Sequence, residues 1–291
     1  MRIGALEAGG TKMVCAIGNE KGEILESQSF PTETPEITLP KLFQYFEERK
    51  IEALGIACFG PIDLHRDSDT YGYITTTPKL VWQNCNIVGS FEKLHVPIGF
   101  DTDVNGSVLG EHTWGAARGL NSCIYITIGT GIGVGIISDG QLLHGMLHAE
   151  GGHILLTRHP QDTYQGKCPF HGNCFEGFCA GPAVEERWGR PGAELVDRKE
   201  VWELEAYYIA QALVDYVMML SPQKIILGGG IMHQEQLFPM IRKSFAELMN
   251  GYIQTKELKD LEHYIIPPSL QDKQGIMGAI QLALLEMEQK K

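Results

Sequence analysis

Cys123-Ile-Tyr-Ile-Thr-Ile128 runs into Gly129-Thr130-Gly131-Ile132-Gly133, then Val134-Gly-Ile-Ile137, a turn at Ser138-Asp139-Gly140 and a return at Gln141. Apolar and β-branched residues bounded by turn formers predict strand, glycine-threonine loop, strand, turn, strand. The chain opens on the same order. A strand from Arg2 to Glu7 meets Gly9-Gly10-Thr11, a second runs Met13 to Ile17, and Asn19-Glu-Lys-Gly22 turns into a third, Glu23 to Phe30. Two copies of one unit in 291 residues predict an internal duplication.

Between and after the copies, strands alternate with helices. Leu39, Leu42, Phe43 and Phe46 recur at helical spacing before an apolar strand, Ala53 to Phe59. Ala206, Ile209, Ala210, Leu213, Val217 and Leu220 form the stripe of a core helix. Lys224 to Leu227 reads as a strand ending in Gly228-Gly229-Gly230. Another strand lies near Tyr264 to Ile266, and a helix from Gly275 to Glu286 closes the chain. This alternation predicts α/β layers, with a boundary near Gly115 to Gly119.

Composition narrows the function. A formal net charge of -12 argues against a nucleic-acid surface, which needs a basic stripe, but leaves a small anionic ligand possible. Seven cysteines, three of them (Cys15, Cys58, Cys123) in apolar runs, and no signal-peptide pattern predict reduced thiols and a cytoplasmic protein. No apolar run is long enough to span a bilayer.

Each glycine loop follows a strand, where ligands of α/β sheets bind. Glycine lets backbone N–H groups approach a phosphate chain closely. One such loop is weak evidence, since glycine also simply makes turns. Three together, Gly9-Gly10-Thr11, Gly129-Thr130-Gly131 and Gly228-Gly229-Gly230, fit two phosphate-holding turns facing across a cleft and a third loop for the nucleoside. Their spacing matches neither the dinucleotide fingerprint nor the Walker loop.

Val96 to Phe100 reads as a strand running into Asp101-Thr102-Asp103-Val-Asn105-Gly106, with a helix from Ser107 to Trp114. Asp103 or Asn105 at this junction suits a helix N-cap. An acid there also suits a general base that takes a hydroxyl proton. Asp101 and Asp103 point the same way on an extended chain, so spacing does not separate them.

Cys168-Pro-Phe-His171-Gly-Asn-Cys174 places three metal donors on one loop, with His153 just upstream in Glu150-Gly-Gly-His153. Cys-x-x-His-x-x-Cys lets one segment wrap a tetrahedral ion, and His153, Cys179 and His159 compete as fourth ligand. Four protein ligands make the site structural. Buried cysteines as small hydrophobes are the plainer alternative.

Taken together, these segments resemble the ROK family of bacterial sugar kinases, within the actin-like ATPase (ribonuclease H-like) fold. The markers are Glu7-Ala-Gly9-Gly10-Thr11-Lys12, Gly60-Pro61-Ile-Asp63, Thr102-Asp103-Val-Asn105, Gly110-Glu111 with Trp114-Gly115-Ala116, Gly129-Thr130-Gly131-Ile-Gly133, Glu150-Gly-Gly-His153, the Cys/His segment and Gly228-Gly229-Gly230. The opening with Glu7 and the Cys-x-x-His-x-x-Cys variant look most like the family's zinc-containing fructokinases.

The resemblance implies a fold of two α/β domains with a nucleotide and sugar cleft between them. These would be 1–117, with the helix 275–291 packing back on it, and 118–274, carrying the zinc segment. It implies ATP-dependent phosphorylation of fructose to fructose 6-phosphate, or of another hexose, with Asp103 as base. Thr102, Asn105, Glu150, His153 and Glu176 match the sugar pocket. Gly9, Gly10, Thr11, Lys12, Gly129, Thr130, Gly131, Gly181, Gly228, Gly229 and Gly230 match the nucleotide site, with Lys12 a surface or strand residue rather than a catalytic cation. His153, Cys168, His171 and Cys174 match the Zn2+ ligands. It further implies Mg2+ and a homodimer. A regulator of the same family would carry an N-terminal helix-turn-helix, whereas this acidic chain starts on a strand. Three positions depart from the usual pattern: Glu7 stands for Asp, Thr102 for Asn and His171 for Cys. The histidines 65, 95, 112, 144 and 148 read as solvated or packing residues, and Trp82, Trp188 and Trp202 as core or interface aromatics.

Overall fold

A computed structural model describes residues 1–289, so 290–291 of the predicted closing helix lie outside the described residues. Contacts divide the chain into two units: 1–119, 142–148 and from 269 onward, against 120–141 and 149–268.

The first unit begins with β1 (Ile3–Ala8), β2 (Lys12–Gly18), β3 (Ile24–Pro31), α1 (Pro35–Arg49) and β4 (Ala53–Cys58). A two-stranded pair, β5 (Tyr73–Ile74) and β6 (Cys85–Asn86), precedes β7 (Ile98–Thr102) and α2 (Asp103–Trp114). The main sheet runs β3-β2-β1-β4-β7, the β1–β2 and β2–β3 pairs antiparallel and the β1–β4 and β4–β7 pairs parallel. Its buried face carries Leu6, Ile17, Leu54 and Ile56 against Phe46 of α1 and the aromatic rings of Trp82 and Phe91.

The second unit repeats the plan. β8 (Cys123–Ile128), β9 (Ile132–Ser138) and β10 (Gln141–Leu142) are followed by short helices α3 (Phe175–Cys179) and α4 (Gly181–Trp188), then the long α5 (Lys199–Leu220). β11 (Ile225–Gly228), α6 (Leu237–Met249), α7 (Leu261–Tyr264) and β12 (Ile265–Ile266) complete it. The order is β10-β9-β8-β11-β12, with β8–β9 antiparallel and β8–β11–β12 parallel. The two sheets thus share one order, as the duplicated sequence pattern predicts. The apolar stripe of α5 is buried at Ala206, Ile209, Ala210, Leu213 and Val217. Trp82 and Trp202 are fully buried.

The last helix, α8 (Gln274–Gln289), belongs to the first unit and packs on β4, β7 and α2. Glycines allow backbone-on-backbone contact there. A Cβ on Gly55 of β4 would overlap the Ala279 carbonyl, and one on Gly278 the Gly106 carbonyl of α2. Both obstacles are main chain in packed elements and cannot swing aside. Gly278→Ala is therefore expected to destabilise the protein by about 1–3 kcal/mol or more, read as a lower urea midpoint at unchanged m. An unchanged midpoint would show that α8 shifts freely.

Candidate functional site

In the first unit, β7 ends two residues later than the sequence pattern predicts, so Asp101 and Thr102 are strand residues, and α2 starts at Asp103, about a turn before the predicted Ser107. The N-cap is Thr102, neither Asp103 nor Asn105: its hydroxyl accepts the Asn105 amide at 3.1 Å. The cap sits where β7 leaves the sheet, since Thr102 is the last residue paired with β4, opposite Cys58.

This geometry separates the two aspartates. Asp101 is buried and held by three donors, accepting from Thr102 N at 2.8 Å, Asn105 Nδ2 at 2.7 Å and His144 Nε2 at 2.8 Å. Asp103 accepts the adjacent Val104 amide at 2.9 Å, its carboxylate pairs with no side chain among the described residues, and burial pushes its carboxyl up to about 6. A carboxylate with spare acceptor capacity and a raised affinity for protons is suited to receive one. Asn105, expected at the sugar, is buried with its amide on Asp101.

Glu7, near the end of β1, is pushed up to about 7, first by burial, then by the charge of Asp103, with Lys12 acting in the opposite sense and Asp272 adding to the rise. Crowded acids of this kind favour a nearby cation. The adjoining loop is closed by Gly9 N–H on Lys12 O at 3.1 Å and pinned by Thr32 Oγ1 on Gly9 O at 2.7 Å. The Gly9 amide is thus spent on the turn. Those of Gly10 and Thr11 have no acceptor among the described residues. Lys79, which sequence reasoning passed over, lies against this loop: its Cε is 3.3 Å from a Cβ built on Gly10. Only folding brings residues 69 positions apart together, so no local signal marked it.

In the second unit the counterpart loop is closed the same way, Gly129 N–H on Gly131 O at 2.9 Å, leaving Thr130 and Gly131 amides open. Gly181 N–H, at the start of α4, is committed to Gly129 O at 2.7 Å, so Gly181 anchors the loop. Glu176 supports it from α3. Its Oε2 accepts the Ile132 amide at 2.9 Å and lies 2.8 Å from a Cβ built on Gly131. Of the third loop, a Cβ on Gly228 would meet the Tyr125 hydroxyl, and Gly229 holds φ +89° against Ile128; only Gly230 faces open space. Gly230 N is 3.8 Å from a Cβ built on Gly129, so these two loops adjoin. Glu150 is exposed just before the short turn Gly151–His153, which Tyr216 Oη anchors at Gly151 O, 2.8 Å.

The metal donors converge. His153, Cys168, His171 and Cys174 offer ligand atoms all within 4.8 Å of one another. His153 Nδ1 is 3.5 Å from Cys174 Sγ and 3.8 Å from Cys168 Sγ, and His171 Nδ1 is 3.6 Å from Cys168 Sγ. A tetrahedral ion with metal–S of about 2.3 Å and metal–N of about 2.0 Å requires S···N edges of about 3.5 Å. The donor set fits such an ion. Of the rival fourth ligands, His159 packs edge-on against Tyr207, and Cys179 is buried beside Glu205. A bridge between Leu155 and Cys174 carries His153 to the cluster instead.

No helix among the described residues is long and apolar enough to cross a membrane.

The profile described as the ROK family matches residues 3–286. A Bacillus subtilis relative is 51% identical over 97% of this chain and 95% of its own. The fructokinase of Pediococcus pentosaceus is 44% identical over 97% of this chain and 98% of its own. The crystal structure of the ROK hexokinase from Thermus thermophilus superposes with TM-score 0.81 at 25% identity, covering 99% of this chain and 100% of that one.

Proposed function

The chain belongs to the ROK family, and we infer that its reaction is transfer of the ATP γ-phosphoryl group to D-fructose, giving ADP and fructose 6-phosphate. Its fold is the actin-like ATPase fold. The observation that carries the sugar assignment is the 44% identity, over nearly the full length of both chains, with a protein named fructokinase.

The residues supply the parts that phosphoryl transfer needs, namely positioning and charge stabilisation. The open amides of Gly10, Thr11, Thr130 and Gly131 suit the phosphate chain, Lys79 adds a cation, and the space at Gly230 suits the nucleoside. Lys12, exposed on β2, offers its charge to Glu7. Asp103 takes the proton of the sugar 6-hydroxyl as the new O–P bond forms and the bond to the ADP oxygen breaks. Thr102, Asn105, Glu150, His153 and Glu176 are the proposed sugar contacts. Glu7 is the acid suited to a hydrated Mg2+, which would supply charge neutralisation on the phosphates when bound.

The His153, Cys168, His171 and Cys174 set is assigned to Zn2+, with every position filled by protein and hence a structural role. A cytoplasmic homodimer, the family's usual state, is the accompanying proposal, and sedimentation would test the dimer.

A coupled ADP-release assay across fructose, glucose, mannose and amino sugars tests the assignment. Fructose is expected to give the highest kcat/KM. Preference for another hexose overturns the sugar but keeps the kinase. ADP release with no sugar, or none with any, overturns both.

A further inference from the structure

Three donors of the first unit converge on one buried carboxylate. Asp101, 4% exposed at its side chain, accepts from the Thr102 amide, Asn105 Nδ2 and His144 Nε2. An ionised carboxylate only accepts. The Asn105 atom turned toward it must therefore be the NH2 group, and Oδ1 points the other way. Asn105 Oδ1 accepts from no group among the described residues. The same argument fixes His144: its Nε2 carries hydrogen. Nε2 of His144 and Nδ2 of Asn105 lie 3.4 Å apart, two donors held side by side because one carboxylate faces both.

His144 reaches this place by an unusual route. Residues 142–148 belong to the first unit, although the sequence on both sides belongs to the second. The segment is tied down at two further points. His148 Nε2 accepts the Ile62 amide at 3.1 Å, and the Met146 carbonyl meets His65 Nε2 at 2.8 Å. The His144 ring then lies 39% exposed on the wall of a cavity of about 380 Å³, with Tyr71, Phe100 and Leu282 also lining it.

We propose that His144 and Asp101 are positioning residues for sugar recognition: together they lock the Asn105 carboxamide so that Oδ1 is presented to a sugar hydroxyl as an acceptor. The inference rests on the reading of this protein as a hexose kinase with Asn105 at the sugar. It makes this side of the site a reader of O–H donors. A site built to pair with a hydroxyl rejects a substrate that lacks it, because its own group is left unpaired. Without His144, Asp101 loses the ring N–H that holds its second oxygen, and the carboxamide is free to reorient.

The test compares His144→Ala and His144→Gln with wild type, measuring kcat and KM for fructose and for ATP, with melting temperature alongside. The ring borders a cavity and is partly exposed, so its truncation leaves the core packing in place. His144→Ala is expected to raise the fructose KM about tenfold or more, in line with loss of a hydrogen bond to a charged group, with ATP KM within about twofold. His144→Gln, whose amide NH2 can still donate to Asp101, is expected to recover most of the loss. A purely structural role would shift both KM values together and would not be rescued by Gln, and that result overturns the proposal. An active wild type beside a His144→Ala variant with unchanged fructose KM overturns this inference alone. A wild type that phosphorylates no hexose overturns the kinase reading and this inference together.

Discussion

Asp103→Asn is expected to lower kcat by about 10²–10⁴-fold, the usual contribution of a positioned general base, with little change in ATP KM. The substitution keeps the size and the acceptor oxygen facing the Val104 amide, so the first turn of α2 remains. What it removes is the ability to take a proton. The same group should shape the pH profile. Burial raises Asp103 from 3.8 to about 6, and a base acts only when ionised, so wild-type kcat/KM should climb with pH through about 6. Glu7, raised to about 7 by burial and by Asp103 itself, titrates in the same range and broadens that limb. Stability runs the opposite way. Between about 4 and about 6 the native state holds a proton that the unfolded chain has released, so stability falls as pH rises through that window. Above it the penalty is complete, on the order of 1–3 kcal/mol. Asp103→Asn should therefore raise the melting temperature at pH 7.5 and leave it nearly unchanged at pH 4. A variant retaining more than a tenth of wild-type kcat would remove Asp103 from the role of base.

Much of this arrangement was legible in the chain, for local reasons. A Cβ on Gly9 would overlap the Lys12 carbonyl that its own amide pairs with, and the Gly129 N–H closes a turn on Gly131 in the second copy. Three metal donors fall within seven residues, Cys168 to Cys174, so their spacing alone carried chemistry. What stayed hidden was set by distant pairing. The start of α2 depends on where β7 leaves β4, which is why Thr102 caps the helix instead of Asp103 or Asn105. The aspartates, indistinguishable on an extended chain, are told apart by His144, 43 residues from Asp101, a residue whose sequence context reads as solvated. Lys79 meets the first loop only through the fold. Gly181 resembles a nucleotide contact in sequence, yet its amide is committed to the neighbouring loop. Cys179 has the right chemistry for the metal and the wrong location, facing Glu205.

Stripping the metal with a chelator is expected to lower the melting temperature by on the order of 5–10 °C and kcat/KM by about tenfold or more. The route is structural and runs through α3. Cys174 is both a proposed ligand and the N-cap of α3, its Sγ accepting the Gly177 amide at 3.3 Å. Glu176 stands on the first turn of that helix and holds the Ile132 amide, directly after the Gly129-Thr130-Gly131 loop. A metal that fixes Cys174 therefore fixes Glu176, and through it the loop proposed to hold phosphate. Losing it also releases the turn that carries His153. Cys174→Ser should reproduce the effect of chelation and lose bound metal. Cys179→Ala, five residues away but outside the donor set, should keep one ion per chain, because the Cys179 thiol pairs with Glu205 and not with the donor set. Elemental analysis of the full-length protein with thermal melts before and after chelation checks both. Metal-free protein as purified, with a melting temperature indifferent to chelator, would reduce the four donors to packing residues and leave the loop to be held by Glu176 and Gly181 alone.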